Sequence, residues 1–295
     1  MDAPPPARTI ALPGGRVLAW ACHGAPAGRP LYAFHGFPGC RLQAALLHEQ
    51  ALAAGVCLVA PDRPGFGASS PAPRRTLLDW PADVAALADH LGHRRFGVLG
   101  ISCGGAYALA CASAMPARIA YAGLLAGIGP MDLPAIRAGQ LPALKLLFCL
   151  ARAHPWLAGT LLLADAGLFR RNPAKALDAL ASLLAEPDRR LLAENPPLRE
   201  RFAASFVEAY RQGIGGVMAE AAVIARPRGF RLEDIAIPVH VYQGGLDRHV
   251  PPTMGRHIAQ ALPQGRLRFY PDEGHLSIVV NHFADCLGDF QETQP

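Results

Sequence analysis

The sequence predicts an α/β fold: a mostly parallel sheet covered by helices on both faces, with an inserted helical cap. Short apolar runs alternate with helical segments from about Pro30 to Gly129, after an N-terminal hairpin. The same alternation returns in residues 235–295, whereas residues 130–234 keep only a helical period. Alternating strands and helices form right-handed crossovers and therefore a parallel sheet. We expect residues 1–129 and 235–295 to form the core and residues 130–234 to form the cap.

The first part of the core begins with a hairpin. RTIAL and RVLAWACHG are separated by Pro13-Gly14-Gly15, which is a turn signal between two strands. Strands and helices then alternate in the order PLYAFHG, RLQAALLHEQALAAG, VCLVAPD, TLLDWPADVAALADHLG, RFGVLGIS, CGGAYALACASAM and IAYAGLLAGIG. Thr76 is the expected cap of the second of these helices, and Gly92 ends it.

The cap is distinguished from the second part of the core by its periodicity. Its Leu- and Ala-rich helical stretches are broken by prolines, namely Pro142, Pro155, Pro173, Pro187 and Pro196-Pro197. After it come the strand IPVHVYQGG, the helix PPTMGRHIAQALP, the strand GRLRFYP and a final helix, LSIVVNHFADCLGDF. An insertion at the carboxyl end of a strand lies over the crevice in which open α/β sheets bind ligands. We therefore expect the cap to cover the functional site.

The composition excludes several classes of protein. Hydrophobic residues make up 51% and charged residues 17% of the 295 residues, which suits a large core and excludes a disordered chain. The net charge of +5 comes from scattered arginines, so we interpret it as a solvated surface and expect no nucleic-acid partner. The seven cysteines match no zinc or disulfide spacing, which favours a reducing compartment.

The apolar segments do not predict insertion into a membrane. The most apolar window contains Lys145, Arg152, His154 and Pro155, and its unbroken runs are shorter than the roughly 18 residues that a span needs. The N-terminal stretch has an acid at position two and no apolar stretch of the signal-peptide kind. We therefore expect a cytoplasmic protein without a membrane span. The sequence leaves the oligomeric state open.

The stretch VLGISCGGAYALA contains the motif G-x-S-x-G, from Gly100 to Gly104. A buried strand precedes it and a helix follows it, which is the context that a nucleophile turn requires. The alternative is a glycine-rich turn in which Ser102 only caps a helix. The turn needs small residues two positions before and two after its centre. Around Ser102 these two positions are Gly100 and Gly104. Around Cys103 the first of them would be Ile101, whose branched side chain does not suit the turn, so Ser102 is the predicted nucleophile.

A serine nucleophile needs a base and an acid that orients the base. Asp247 follows one late strand and His275 follows the last strand, and the order Ser102, Asp247, His275 suits this geometry. Asp132, after the strand that follows the nucleophile helix, is the rival acid, and His249 is the rival base. For His275 the alternative is a capping or buried histidine without a catalytic role.

Two backbone amides are candidates for the oxyanion hole. Cys103 follows the nucleophile, so its N–H points to the site of the developing charge. The second donor is expected from the loop after the third strand, where FHGFPGCR places Phe37 behind Gly36. Glycine there allows the backbone to approach the reacting group closely.

Together, these motifs resemble the α/β-hydrolase fold superfamily. HGFPG, APDRPGFGASS, GISCGG, GGLDRHVPP and DEGHLS stand in the order of that family, and the helical insertion is similar to its variable cap. The resemblance implies acyl transfer through Ser102 with His275 as base, and structural roles for Asp62 and Arg63. It argues against epoxide hydrolases and haloalkane dehalogenases, which use an aspartate where this chain has Ser102.

We therefore expect a serine hydrolase for a small or medium ester, thioester or lactone with an apolar acyl part, without cofactor or metal. The same triad also serves haloperoxidase-like perhydrolysis and carbon–carbon bond hydrolysis, although an arginine–tryptophan clamp of the latter enzymes is not evident. A lyase and a thiol enzyme based on Cys103 are further possibilities. From another class, a non-catalytic binding or receptor protein would carry the same fold with an inactive triad.

Overall fold

The computed structural model describes residues 7–293. Residues 1–6, which begin the N-terminal stretch for which we expect no signal peptide, lie outside the described residues, as do residues 294–295. Within the described range, eight strands form one sheet in the order β1-β2-β4-β3-β5-β6-β7-β8. They are β1 (Arg8–Ala11), β2 (Val17–Gly24), β3 (Arg29–Phe34), β4 (Val56–Pro61), β5 (Phe96–Ile101), β6 (Ile119–Leu125), β7 (Val239–Gly244) and β8 (Gly265–Tyr270).

The strand β2 pairs antiparallel with both of its neighbours, β1 and β4. The six strands β4, β3, β5, β6, β7 and β8, which follow one another across the sheet, are parallel. The carboxyl ends of the parallel strands therefore lie at one edge of the sheet, where the loops after β3, β5, β7 and β8 meet. The predicted mostly parallel α/β fold is confirmed.

Helices cover both faces of this sheet. They are α1 (His48–Ala53), α2 (Trp80–His90), α3 (Gly104–Ala114), α4 (Pro142–Ala153), α5 (Pro155–Arg171), α6 (Pro173–Ala181), α7 (Glu186–Glu194), α8 (Pro196–Ala209), α9 (Gly215–Ile224), α10 (Pro252–Ala261), α11 (Ser277–Asn281) and α12 (Phe283–Gln291). Successive β-strand side chains point to opposite faces. Val98 of β5 accordingly belongs to the apolar cluster that contains residues of α2, α3 and α10, and Leu99 belongs to the cluster that contains residues of α1, α11 and α12.

The segment between β6 and β7, residues 126–238, carries α4 to α9. We call it the inserted segment. Its side chains form a separate apolar cluster with residues of the loops after β3 and β4, including Phe169, Phe206, Cys40 and Phe66. This packing fixes the inserted segment over the carboxyl edge of the sheet.

Two predicted helices are interrupted. The first begins as 3₁₀ turns over Arg41–Leu47, because the Arg41 N–H donates to Asp62 Oδ1 over 2.6 Å and holds the chain against the β4 loop. The last predicted helix is divided into α11 and α12 at His282, whose ring contacts Glu273 and Asp285 at 3.1 Å and 3.0 Å. In residues 7–293 no helix combines the length and the hydropathy of a transmembrane span.

Candidate active site

The turn between β5 and α3 has the geometry that the glycine spacing predicts. Ser102 adopts φ +54°, a left-handed conformation that is rare for residues other than glycine. A Cβ at position 100 would overlap the carbonyl group of Gly104, and a Cβ at position 104 would overlap that of Phe34. Both positions therefore require glycine, and the strained turn holds the Ser102 side chain above the sheet edge.

The structure brings Ser102, His275 and Asp247 together. Ser102 Oγ lies 3.1 Å from His275 Nε2, and His275 Nδ1 lies 2.7 Å from Asp247 Oδ2. The other carboxylate oxygen, Asp247 Oδ1, accepts hydrogen bonds from the N–H groups of His249 and Val250 at 2.8 Å and 2.9 Å. Asp247 is only 2% exposed, so its carboxylate is held by these protein contacts and not by bulk water. A hydroxyl, an imidazole and a carboxylate are thus aligned by three different loops.

The rival residues occupy other positions. His249 stacks on His275, with ring centroids 5.0 Å apart and an interplanar angle of 21°. Burial and the neighbouring His275 lower the pKa of His249 to about 4, so its ring is neutral near pH 7. The carboxylate that contacts His275 is Asp247, whereas the charge of Asp132 acts on the buried Arg228.

The protonation states distinguish the imidazole from the thiol. Burial alone would lower the pKa of His275, but the charge and hydrogen bond of Asp247, with a contribution from Asp188, raise it above the ordinary value. Burial raises the pKa of the Cys103 thiol to about 12. At neutral pH the thiol is therefore protonated, while a hydrogen-bonded base lies beside the Ser102 hydroxyl.

The two residues predicted to supply the oxyanion donors, Phe37 and Cys103, line the same cavity as Ser102. Cys103 precedes the first residue of α3, and Gly36 lies so close that a Cβ on it would be 3.4 Å from Ser102 Cβ. In the described part of the chain, neither the Phe37 N–H nor the Cys103 N–H has a hydrogen-bond acceptor. The Gly36 N–H donates to Gln43 Oε1 over 2.8 Å, which holds the loop in place.

A cavity of about 370 Å³ extends from Ser102 into the inserted segment. Its lining is mostly leucine and phenylalanine, with Leu147, Phe148, Leu161, Leu162, Phe169, Phe202 and Phe206 among the residues from α4, α5 and α8. A few polar groups also face it, including Gln43 and the hydrogen-bonded pair Asp165 and Tyr210. A second cavity of about 440 Å³, around Arg16 and Asp83, contains none of the three aligned residues.

Three carboxylates of the inserted segment that sequence analysis did not single out reach the loops around the site. They are Asp188, Glu208 and Glu220, and each is at least nine-tenths buried. Asp188 accepts hydrogen bonds from three consecutive backbone N–H groups that begin at His275. No local sequence signal marks these residues, because the residues around the site that they contact are between 87 and 167 positions away.

Curated relatives align with much of this chain. A dihydrolipoyllysine-residue acetyltransferase component of an acetoin cleaving system from Pseudomonas putida is 36% identical over 194 residues, 62% of this chain. This chain spans about half, 52%, of the length of that relative. A putative non-heme bromoperoxidase from Mycobacterium tuberculosis is 30% identical over 76% of this chain and 78% of its own. A 2-hydroxymuconate semialdehyde hydrolase from Pseudomonas sp. is 29% identical over 91% and 88%.

The fold is shared with solved structures at low identity. A thermophilic esterase from Thermogutta terrifontis superimposes with a TM-score of 0.67 at 24% identity, over 97% of this chain and 98% of its own. The sequence model of the alpha/beta hydrolase fold matches residues 29–281, which include the turn at Ser102, Asp247 and His275. The chain therefore belongs to the alpha/beta hydrolase fold family.

Proposed function

We propose that the protein is a serine hydrolase that cleaves a small or medium carboxylic ester, thioester or lactone through an acyl-enzyme on Ser102. The observation that carries this proposal is the aligned row of Ser102 Oγ, the His275 ring and the Asp247 carboxylate at the base of an apolar cavity. We also propose that residues 130–234 act as the cap of a core formed by residues 1–129 and 235–295.

The seven free cysteines support a reducing, cytoplasmic location.

In the proposed reaction His275 Nε2 takes the proton of the Ser102 hydroxyl while Oγ attacks the acyl carbon. The carbonyl electron pair moves onto oxygen, which accepts hydrogen bonds from the N–H groups of Phe37 and Cys103. When the intermediate collapses, the bond to the leaving group breaks and His275 returns the proton to it. Water then repeats the sequence on the acyl-enzyme and releases the carboxylic acid and Ser102.

The apolar cavity supports a preference for longer acyl chains. Each buried methylene contributes up to about 0.8 kcal/mol, which corresponds to a factor of about four in kcat/KM. We expect kcat/KM for p-nitrophenyl esters to rise from acetate through medium chains and to fall once the chain exceeds the cavity. Measurement across the series, with lactones and thioesters included, tests this. A constant or steadily falling kcat/KM from acetate onward would contradict an acyl-binding role for the cavity.

The names of two relatives support second candidates, perhydrolysis of the bromoperoxidase kind and carbon–carbon bond hydrolysis. None of the described residues that line the cavity is arginine or tryptophan, which favours the ester over the carbon–carbon substrate with its expected clamp. Product analysis with an ester, with hydrogen peroxide and bromide, and with a ring-cleavage product separates the three activities. A non-catalytic binding protein would show none of them.

A fluorophosphonate probe tests the nucleophile itself. We expect wild-type protein to be labelled on the peptide that contains Ser102, because the probe forms a stable ester only with an activated hydroxyl. Mass spectrometry of the digested adduct identifies the modified residue. Absence of labelling, or labelling elsewhere, would remove the basis of the proposal.

Catalysis should be lost as the pH falls through the pKa of His275. The base must be neutral, and Asp247 raises the pKa of His275 above its ordinary value of about 6.5. We therefore expect the acidic limb of kcat/KM to have its midpoint above that value and activity to be complete only on its alkaline side. His249, with a pKa of about 4, does not contribute to this limb. A midpoint below about 6.5 in the pH profile would contradict the assignment of the base.

A further inference from the structure

Each of three consecutive helices of the inserted segment directs a buried carboxylate to the core. Asp188 of α7 is 1% exposed, Glu208 of α8 is 8% exposed and Glu220 of α9 is fully buried. Burial of a carboxylate is costly unless it is paired and hydrogen-bonded, so the partners of these groups are informative. Each of the three carboxylates contacts at least one segment at the carboxyl edge of the sheet: the loop after β8 for Asp188, the segment after β3 for Glu208 and the loop after β4 for Glu220.

Asp188 binds the loop that carries the histidine. Its Oδ2 accepts a hydrogen bond from the His275 N–H over 2.9 Å, and its Oδ1 accepts from Leu276 and Ser277 over 3.0 Å and 2.8 Å. Any Cβ at position 274 would overlap the carboxylate, so Gly274 allows this close approach. The backbone of His275 is therefore held by the inserted segment, while its ring is held by Asp247.

Glu220 binds the loop that carries the oxyanion donor through Arg63. Its Oε1 lies 2.8 Å from Arg63 Nη2, and its Oε2 accepts from Arg75 over 2.8 Å and from Tyr107 over 2.6 Å. Arg63 in turn donates to the carbonyl groups of His35 and Gly36, immediately before Phe37.

Glu208 supports the same loop region one step further along the chain. Its Oε1 lies 2.7 Å from Arg41 Nη1, which also contacts Asp62 Oδ2 at 2.9 Å. The Arg41 N–H donates to the same Asp62 carboxylate. The carboxylates of α8 and α9 thus hold the segments that follow β3 and β4.

Joining two layers of a protein does not require such contacts, since replacing a buried ion pair with apolar side chains of similar volume is often neutral or stabilising. Here the layers also share apolar clusters. What the carboxylates add is direction. Asp188 fixes the backbone N–H of His275 directly, and Glu220 holds Arg63, which donates to the carbonyl groups just before Phe37. A displacement of about 1 Å at such a residue can cost about a hundredfold in rate.

We propose that Asp188 and Glu220 are positioning residues, through which the inserted segment sets the histidine and oxyanion loops in their reactive geometry. This inference rests on the proposed hydrolase function. It means that the inserted segment contributes to kcat as well as to substrate binding. Removal of either carboxylate should therefore lower kcat more than it raises KM.

The first test is Asp188→Asn, which preserves side-chain volume and leaves no buried cation unpaired. The amide has one acceptor oxygen and turns its NH₂ toward the His275 N–H. We expect kcat to fall about tenfold to a hundredfold with KM nearly unchanged. Asp178→Asn is the matched control, because Asp178 belongs to the same segment but lies on its surface in a pair with Arg199. Its kcat should equal that of the wild type.

The pH profile separates positioning from a purely structural role. The titratable or hydroxyl groups that face His275 are Asp247, Asp188, His249 and Ser102. Because the Asp188 charge supports the protonated imidazole, Asp188→Asn should move the acidic limb of kcat/KM to lower pH. A protein that is merely less stable would keep the wild-type limb, with kcat unchanged per site titrated by the fluorophosphonate.

Glu220→Gln should lower kcat in the same way, but it leaves Arg63 and Arg75 without their carboxylate, so its fold must be checked by circular dichroism. If Glu220→Gln does not fold, the Asp188→Asn result alone decides whether the positioning role holds. A wild-type kcat per titrated site in Asp188→Asn would overturn the positioning role, whether or not the acidic limb moves. Failure of wild-type protein to react with the probe would instead refute the hydrolase function on which it rests.

Discussion

Replacement of Ser102 by alanine is expected to lower kcat for the preferred ester by roughly 10⁴- to 10⁶-fold. The proposed acyl-enzyme cannot form without the hydroxyl, and the remaining rate reflects binding and the oxyanion donors alone. The fold should be retained, because Ser102 already holds the left-handed conformation with a side chain, and alanine adds no bulk to it. Steady-state kinetics with the purified variant and its loss of fluorophosphonate labelling provide the measurement.

Cys103→Ala is the matched control for this experiment. It removes the neighbouring thiol but keeps the backbone N–H that the proposed oxyanion hole uses. The thiol is 3% exposed and its pKa is raised to about 12, so we expect less than a tenfold loss of kcat. The reverse result, with an active Ser102→Ala and an inactive Cys103→Ala, would establish a thiol enzyme.

Features that depend on local spacing could be predicted from the sequence. The glycine at position 100 is required by an overlap within the turn, with the Gly104 carbonyl, and the glycine at position 104 by an overlap with the Phe34 carbonyl of the neighbouring parallel strand β3. The meeting of Ser102, Asp247 and His275 follows from one further rule, namely that parallel strands end at the same edge of a sheet. The catalytic roles of these residues stay predictions until the variants are measured.

Features that depend on packing between distant segments could not be predicted. The partners of Asp188 lie 87 to 89 positions further along the chain, and the sequence around it shows only a helical period broken at Pro187. The 3₁₀ turns that begin at Arg41 likewise arise from a contact with Asp62, which competes with the helical period of that segment. In both cases a long-range hydrogen bond to a buried carboxylate overrides what the local pattern favours.

The carboxylate of Asp247 is expected to control which ring nitrogen of His275 carries a proton. In Asp247→Asn the amide oxygen can keep the contacts with the N–H groups of His249 and Val250, so the fold around the site should persist. The NH₂ group then faces His275 Nδ1, which must accept rather than donate. The proton moves to Nε2, and the imidazole can no longer accept the proton of Ser102.

We therefore expect Asp247→Asn to lower kcat by roughly 10⁴-fold, as a wrong histidine tautomer does in other serine hydrolases, with little change in KM. Asp132→Asn, at the rival acid, should retain kcat within about twofold, because its charge acts on Arg228 and not on His275. Both variants are measured on the preferred ester across the pH range. An Asp132→Asn protein with the large loss and an active Asp247→Asn protein would transfer the role of the acid to Asp132 and would require a rearranged site in solution.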